Sequence, residues 1–526
     1  MKRLTLTLFA AFLAVLTCFA RDFSQTFTVR IDTVGKYINV EMVCTPSDGG
    51  TINEDLTLKL PVWAPGYYLI VDFPKHLTDF AATDGEGKTL SWQKQGKNAW
   101  VVKAQGKQSV KATYRIFATA RSVAECRVEN YAAFIAPNGV FMHIDGQKER
   151  PAYVYFDLPA GWQHVSTGMK PVTTRTFGAP TAYFAPNFDV LYDSPILLGN
   201  HFVDKFEHEG HPFEFALESP IGYEESPFKE DFKRIVTATT AIMQHIPYDN
   251  YCLIHLGKGP GGLEHLNSQA CYTEGTFRFP TRKAYVEYLD FTAHEYFHLY
   301  NVKHIRPIEL GPFDYDREVF TPLLWVSEGF TCYYSAQILR QAGLITADEQ
   351  LGMYAEYIQG TESQEGHRHM SLRQSSYDIW LNFFNNDENS LDVRISYYIK
   401  GPVMGLLFDL ELNRITDCQR NLDDLMRLLY NRYDQELGRG FTEEEFWQSA
   451  LEVATLTDKK GNPVNADLAA ETIANLRRLV DTTEEIDYDR FLSPAGLTID
   501  HATWQLAKTE KPTKQQLKLR RRIIGE

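Results

Sequence analysis

From about residue 22 to residue 200, apolar and polar residues alternate with a period of two. Such alternation places every second side chain on one face of a β-strand. Turn-forming clusters at residues 47–50 (SDGG) and 84–87 (DGEG) separate the strands. One apolar and one polar face are typical of antiparallel sheets, so the pattern predicts an antiparallel β domain over residues 21–200. The alternating residues are Phe27, Val29 and Ile31; Ile38, Val40 and Met42; and Val110, Ala112, Tyr114 and Ile116.

After residue 200 the apolar spacing becomes helical. Ser226 and Pro227 suit the start of a helix, and apolar residues recur every three or four positions over 232–243. The mostly apolar run 251–256 predicts a strand. Two helices follow, one containing residues 294–298 and one beginning at Thr321-Pro322. These elements predict a mixed α/β unit over residues 201–345.

Two capping boxes predict further helices. They pair Thr346 with Glu349 and Thr442 with Glu445, and each precedes an apolar-periodic segment. Residues 346–497 are therefore predicted to form a helical domain. The chain as a whole is predicted to be an α+β multidomain protein.

The first 20 residues predict a secretory signal peptide. Lys2 and Arg3 precede an apolar run that ends at Ala20, a suitable cleavage position. The protein is thus expected to be exported, most simply to the periplasm, with secretion as an alternative. Lipidation of Cys18 is a further alternative, although Thr17 is a poor residue to precede it. No later stretch is apolar for the roughly 18 residues that a membrane span needs, so no transmembrane segment is expected in the mature chain.

The last residues, 498–526, predict a basic tail. Lys514, Lys518 and Arg520–Arg522 make it positively charged, and it is expected to have low order and to be solvated. Binding of this tail to an acidic surface is the alternative.

Charge and cysteine content exclude some functions. The 526-residue chain has a formal net charge of −15, which argues against nucleic acid as a partner because phosphate binding needs a basic surface. Six cysteines follow the predicted signal peptide, and none forms a Cys-x-x-Cys pair, which excludes a zinc knuckle or a thioredoxin-type motif. Cys332 is interpreted as a small buried core residue.

The segment 294–298 (HEYFH) carries the candidate chemistry. Residues four apart share one face of a helix, so His294 and His298 can bind one metal ion. Glu295 then lies beside the metal, where it can take a proton from a bound water. The pattern predicts a hydrolytic zinc site.

A third protein ligand is needed, with the fourth position left to water. His304 is one candidate, because its spacing from His298 copies the metzincin pattern, with Asn301 where a glycine normally turns the chain. Glu328 is the other, near the start of the helix predicted at Thr321. No convincing Met-turn follows, so Glu328 is favoured.

Several ordered motifs together resemble the bacterial glycyl aminopeptidase family, which is related to aminopeptidase N. The resemblance covers about residues 25 to 497. Its motifs are residues 60–68 (LPVWAPGYY), 261–265 (GGLEH), 294–307 (HEYFHLYNVKHIRP), 312–315 (PFDY), 324–334 (LWVSEGFTCYY) and 397–401 (YYIKG).

The resemblance implies a saddle-like N-terminal β domain, a thermolysin-like α/β catalytic domain and a C-terminal helical domain. It also implies one zinc ion per chain, with His294, His298 and Glu328 as ligands and Glu295 as general base.

The resemblance also implies roles in substrate binding. Glu264, in a motif that includes Gly262, would bind the free α-ammonium of a peptide, and a buried carboxylate left unpaired disfavours substrates that lack this group. Tyr398 would stabilise the oxyanion as a hydrogen-bond donor. Tyr397 remains an alternative for that role.

The chain departs from the family pattern in two places. Leu299, Tyr300 and His304 stand where the family more often has a tryptophan and an arginine. Residues 492–497 resemble the family's exit from the helical domain, and about 30 residues then remain, too few for the PDZ domain that usually follows. Functions that depend on a PDZ domain are therefore not expected.

These observations predict a zinc aminopeptidase that acts on peptides with a free N-terminus. The preference for small N-terminal residues, glycine or alanine, is implied by the resemblance alone. The alternatives are a zinc endopeptidase and a non-catalytic peptide-binding relative. Neither the oligomeric state nor the disulfide pattern follows from the sequence.

Overall fold

The computed structural model describes residues 22–172 and 182–526. The predicted signal peptide, residues 1–20, and the alternative lipid site Cys18 lie outside the described residues. Within these two ranges, no helix is both long and apolar enough to cross a membrane. The six cysteines in them are buried and unpaired.

The N-terminal part consists of three sheets, of seven, four and four strands. The largest has the order β13-β14-β11-β1-β2-β7-β4. The elements are β1 (Phe23–Asp32), β2 (Tyr37–Pro46), β3 (Leu56–Lys59), β4 (Leu77–Asp84), β5 (Trp92–Gln95), β6 (Ala99–Val102), β7 (Val110–Phe117), β8 (Arg127–Val128), β9 (Ala132–Ile135), β10 (His143–Ile144), β11 (Ala152–Asp157), β12 (His164–Thr167), β13 (Lys170–Val172), β14 (Ala182–Ala185), α1 (Phe188–Tyr192) and β15 (Ile196–Gly199).

The alternation of apolar residues predicts the buried face of the large sheet correctly. In β2 and β7 every second residue is buried, as Met42 and Tyr114 illustrate. The described strand pairs of this domain are antiparallel, as predicted, except that β1 pairs with β11 in parallel. Alternation fixes which face of a strand is buried, but it carries no information about the direction of the neighbouring strand.

The middle part contains a five-stranded sheet and three helices. The sheet order is β16-β17-β18-β20-β19, with β17, β18 and β20 parallel and β16 and β19 antiparallel at the edges. The elements are β16 (Phe202–His208), β17 (His211–Leu217), α2 (Phe228–Met243), β18 (Tyr251–Lys258), β19 (Gly262–His265), β20 (Ser268–Thr273), α3 (Arg282–Phe297) and α4 (Phe330–Gln341).

Both faces of this sheet are covered, which explains the continuous apolar run in β18. Tyr251 and Leu253 belong to the core shared with the helices. Ile254 and Leu256 belong to the core of the N-terminal domain. A strand that is buried on both faces does not alternate. The sheet therefore lies between the helices and the N-terminal domain, and its edge strand β19 runs along the boundary.

The last part is mostly helical, and both predicted capping boxes are present, at the N-termini of α5 and α11. The elements are α5 (Ala347–Glu362), α6 (Leu372–Tyr377), α7 (Ile379–Asn382), α8 (Ser390–Val393), α9 (Tyr397–Ile415), α10 (Leu422–Leu429), α11 (Glu443–Ala454), α12 (Ala466–Asp481), α13 (Tyr488–Leu492), β21 (Leu497–Ile499), β22 (Leu506–Lys508) and α14 (Lys514–Ile524). The predicted α+β multidomain class is confirmed.

The expectation of low order for residues 498–526 is wrong. Thr513 and Gln516 form a capping box that begins α14, and Leu519 and Ile523 are buried in the main core. The carbonyl oxygen of Ile523 accepts a hydrogen bond from Gln337 Nε2 at 3.0 Å. The segment is an amphipathic helix, and most of its positively charged residues are exposed. Lys518 on this helix forms an ion pair with Asp417.

Candidate active site

The helix α3 carries the first two predicted metal ligands in and just after its last turn. It begins at Thr281, whose side-chain oxygen accepts a hydrogen bond from the backbone N–H of Ala284. His294 and His298 lie one turn apart on the same side. Their Nε2 atoms are 2.9 Å apart, and their rings are perpendicular. The two imidazoles thus converge on one point.

Glu328 completes this cluster. Its Oε2 lies 3.5 Å from His294 Nε2 and 3.1 Å from His298 Nε2. Ligands bound tetrahedrally at zinc distances are roughly 3.4 Å apart, so the spacing fits. In the part of the chain that the structure describes, this is the one group of three or more His, Cys, Asp or Glu residues able to hold a metal ion. Two nitrogens and one carboxylate match a catalytic zinc site.

The backbone at Glu328 differs from the expected α-helix. Residues Trp325–Gly329 form a π-helical turn, which leads directly into α4. A π turn holds one more residue than an α turn and is often found at functional sites. Although burial opposes it, the charge of His298 holds the pKa of Glu328 below its usual range, so the carboxylate is ionised.

His304, the rival third ligand, lies elsewhere. Its Nδ1 is 3.0 Å from Asp434 Oδ2, and its ring packs against Tyr430. This histidine therefore takes part in a hydrogen bond between the catalytic and helical parts rather than in the cluster.

Each histidine of the cluster has a different outer partner. His298 Nδ1 donates a hydrogen bond to the backbone carbonyl of Asn301 at 2.7 Å. His294 Nδ1 lies 3.5 Å from Cys332 Sγ. Such partners fix the orientation of a ligating ring and the nitrogen that is left free. Cys332 is buried as predicted, and in addition it contacts this ring.

Glu295 faces the edge strand β19 at Gly262. A Cβ atom added to Gly262 would lie 2.3 Å from Glu295 Oε1, so no side chain fits there. Burial is the main cause that raises the pKa of Glu295 to about 8, and the charge of His298 opposes it. A divalent cation nearby would lower that pKa, because it stabilises the carboxylate form.

Glu264, the predicted substrate anchor, lies on the same strand. It is 5% exposed and lines a cleft of about 280 Å³ together with His294, Glu295 and Glu328. A loop of the N-terminal domain covers it. Gly66 in that loop has φ 85°, and an added Cβ atom would lie 2.7 Å from Glu264 Oε1. The carboxylate is thus packed against this loop at the edge of the cleft.

Tyr398 lines the cleft as well, whereas Tyr397 does not. The Tyr398 ring centroid is 6.4 Å from that of His294, and Ser396 caps the helix by accepting a hydrogen bond from the Tyr398 backbone N–H. Tyr397 is 1% exposed. Of the two tyrosines left open by the sequence, Tyr398 is the one that lines the cleft.

A close contact between two glycines lies behind the cluster. A Cβ atom on Gly329 would lie 2.5 Å from Gly401 Cα. Gly329 directly follows Glu328, and Gly401 lies three residues after Tyr398. The π turn and α9 therefore cross with their backbones in contact.

Comparison with protein families identifies this arrangement. A model of the peptidase M61 N-terminal domain matches residues 26–200, and a model of the M61 glycyl aminopeptidase matches residues 287–404. Together the two matches span more than half of the chain. This chain belongs to the M61 glycyl aminopeptidase family. It is accordingly a metallo-aminopeptidase, and the resemblance found in the sequence is confirmed.

Solved structures similar to this M61 protein share its fold. An aminopeptidase N family protein from Idiomarina loihiensis superposes with a TM-score of 0.79 at 24% identity, covering 93% of this chain and 82% of that one. An M1 zinc metallopeptidase from Deinococcus radiodurans gives 0.52 at 12% identity, covering 89% and 96%. Yeast LTA4 hydrolase gives 0.51 at 13% identity, covering 94% and 69%. No curated protein sequence gives a significant match.

The M61 chain contains one group at the site that sequence reasoning missed. Lys303 Nζ is 2.8 Å from Asp193 Oδ1 and 3.7 Å from Glu264 Oε1. Asp193 comes from the N-terminal domain and also pairs with His265 at 3.0 Å. Lys303 is nearly fully buried, and a buried lysine requires such partners. The available signal was a lysine within a run of apolar and aromatic residues directly after His298.

Proposed function

We propose that this M61 family member is a zinc aminopeptidase that removes small N-terminal residues, glycine or alanine, from peptides. His294, His298 and Glu328 would hold one zinc ion per chain. The observation that carries the proposal is the buried carboxylate of Glu264, which lines the same cleft as these ligands.

The proposal assigns a step of the hydrolysis to each residue near the metal ligands. When bound, zinc lowers the pKa of a coordinated water and polarises the scissile carbonyl. Glu295 accepts the proton of the attacking water and then delivers it to the leaving amine. Tyr398 donates a hydrogen bond to the carbonyl oxygen as negative charge develops on it.

Glu264 would determine the direction of cleavage. An ammonium group bound by this carboxylate places the first peptide bond, rather than an internal one, next to the ligands. The loop of Gly66 packs directly on Glu264, so the anchor is covered by the N-terminal domain next to the ligands. Both features favour an exopeptidase.

The preference for small residues is supported by the family and by the cleft. Aromatic side chains of Tyr67, Phe383 and Phe384 line it, and the rings of Tyr67 and Phe384 are 4.7 Å apart. Such side chains narrow the space for the first residue of a substrate. A panel of aminoacyl amides, assayed with and without a chelator, tests both zinc dependence and this preference.

Acetylation of the substrate distinguishes aminopeptidase from endopeptidase activity. A peptide with a free N-terminus is expected to be cleaved at least about 100-fold faster than its N-acetylated form, because the acetylated terminus lacks the charged group that the buried Glu264 carboxylate would bind. Equal rates would favour the endopeptidase. No bound zinc and no loss of turnover in Glu295→Gln would favour a non-catalytic peptide-binding relative.

We also propose that the protein is exported, because residues 1–20 have the charge and apolarity of a signal peptide. The mature N-terminus, determined by mass spectrometry after cell fractionation, tests this. A periplasmic chain that begins at Arg21 supports the proposal, and a lipid-modified Cys18 supports an anchor instead.

A further inference from the structure

Asn301 contacts both elements that carry the candidate metal ligands. It follows α3 by four residues, and its side chain is fully buried. Its backbone carbonyl accepts the hydrogen bond from His298 Nδ1 at 2.7 Å. In the neutral form of the ring, which is the form that binds a metal, a proton on Nδ1 leaves the lone pair on Nε2, on the side of Glu328. The backbone carbonyl of Asn301 therefore sets the orientation of the His298 ring.

The side chain of Asn301 acts on the other element. Its Nδ2 donates to the carbonyl oxygens of Val326 at 2.8 Å and Ser327 at 3.0 Å, the two residues before Glu328. It also lies 3.0 Å from Thr331 Oγ1, whose hydroxyl donates to the same Ser327 carbonyl at 2.7 Å. These groups belong to the π turn and the first turn of α4.

The backbone conformation of Asn301 gives no separate reason for an asparagine. Its φ is not positive, so the residue does not serve as a left-handed turn in the way that a metzincin glycine would. What distinguishes it is the amide group, which presents two N–H donors to acceptors that are all buried.

We propose that Asn301 is a positioning residue that holds the π turn of Glu328 in register with His294 and His298. The inference rests on the proposed zinc site. Without the amide, two buried carbonyls lose a donor, and the turn can relax toward the regular α-helical hydrogen-bond pattern, which rotates Glu328 away from the histidines. The expected consequence is weaker metal binding, since partners of this kind change metal affinity by about 10- to 100-fold.

Zinc affinity of the full-length protein, measured by competition with a chelating dye, tests the inference without using activity. Asn301→Ala removes the amide, and Asn301→Asp keeps the size but replaces both donors with an acceptor. Both variants are expected to bind zinc about 10- to 100-fold more weakly than the unmodified protein. His304→Ala is the matched control from the same segment, and its affinity is expected to stay within about threefold, because its partner is Asp434.

Cobalt(II) gives a second readout, because its visible absorption spectrum depends on coordination geometry. Loss of the Glu328 ligand is expected to change this spectrum in Asn301→Asp and to leave it unchanged in His304→Ala. If Asn301→Asp binds zinc within threefold and keeps the cobalt spectrum, the inference is wrong. Absence of zinc binding by the unmodified protein would instead refute the proposed function.

Thr331→Val covers the case in which the asparagine variants do not fold. It keeps the side-chain volume and removes one acceptor of the Asn301 amide and one donor to Ser327. Zinc affinity is expected to fall by about three- to tenfold. Affinity equal to that of the unmodified protein would overturn the inference.

Discussion

The two ends of the cleft are built in different ways. We call one end the metal half, which consists of His294, Glu295, His298 and Glu328, and the other the amine half, which consists of Gly66, Asp193, Glu264 and Lys303. The metal half is assembled from α3 and the π turn, both within the catalytic part. The amine half is assembled between domains, because Glu264 and Lys303 contact a loop and an aspartate of the N-terminal domain.

The difference teaches that reactivity and direction of cleavage are separable in this protein. The metal half holds the groups that act on the peptide bond, whereas the amine half holds the group that would select a free N-terminus. Changes to the metal half should therefore alter kcat or metal content. Changes to the amine half should alter KM and the preference for a free amine.

Of the substitutions that test this difference, Glu295→Gln in the metal half is expected to lower kcat the most. The amide is isosteric but cannot accept a proton, so kcat is expected to fall about 10³-fold. KM and zinc content should change little, because Glu295 is not one of the three clustered ligands. Steady-state kinetics and metal analysis check this, and a variant that retains more than a tenth of kcat would exclude Glu295 as the base.

Tyr398→Phe is expected to lower kcat by about 10²-fold, because the hydrogen bond to the developing oxyanion is lost. Tyr397→Phe is the matched control on the neighbouring position. It should leave kcat within about threefold, since that residue is outside the cleft. The opposite ranking of the two variants would assign the oxyanion role to Tyr397.

Glu264→Gln is the corresponding test of the amine half, and it is expected to lower kcat/KM. It keeps the shape of the anchor and removes its charge, so kcat/KM for substrates with a free amine is expected to fall about 10- to 100-fold. Cleavage of the N-acetylated peptide should not fall. If both substrates lose activity equally, Glu264 does not bind the ammonium group.

Gly66→Ala is expected to have the smallest effect of the four. Its new methyl group would press on the Glu264 carboxylate, so KM should rise about tenfold while kcat stays within threefold. Gly161→Ala is the control, because Gly161 has a similar φ of 88° and no atom within 4 Å of the added Cβ. Both should lose about 1–2 kcal/mol of stability from backbone strain, and Gly66→Ala should lose more because its methyl group also meets Glu264 and Leu263. A rise of KM in both variants would remove the argument for contact with Glu264.

The metal half could be predicted from the sequence because its geometry is mostly local. The spacing of His294 and His298 follows from the helical repeat. Glu328 was preferred to His304 because no Met-turn follows the histidines. The contact that keeps His304 away from the cluster could not be predicted, because its partner Asp434 is 130 residues away in the sequence. The role of Asn301 also escaped detection, since its acceptors are 25 to 30 residues away.

The amine half was less accessible to sequence reasoning. Glu264 was found only through the family motif, and neither Gly66 nor Asp193 carries a local signal of its contact with Glu264 or Lys303. The same limit applies to the fold. The alternation in β1 predicted its buried face but not its parallel partner β11. The proposed boundaries near residues 200, 345 and 497 remain predictions.

The contact between Gly329 and Gly401 has a consequence for how the cleft tolerates change. Two backbones in direct contact have no rotamers, so the separation between the Glu328 segment and the Tyr398 segment is not set by the packing of any side chain. Core residues around this crossing can be exchanged for others of similar volume without altering the spacing of ligand and tyrosine. Redesign of the protein for heat resistance therefore has freedom in the apolar residues of this core, provided that these two glycines and the hydrogen-bonded side chains of Asn301 and Thr331 are left in place.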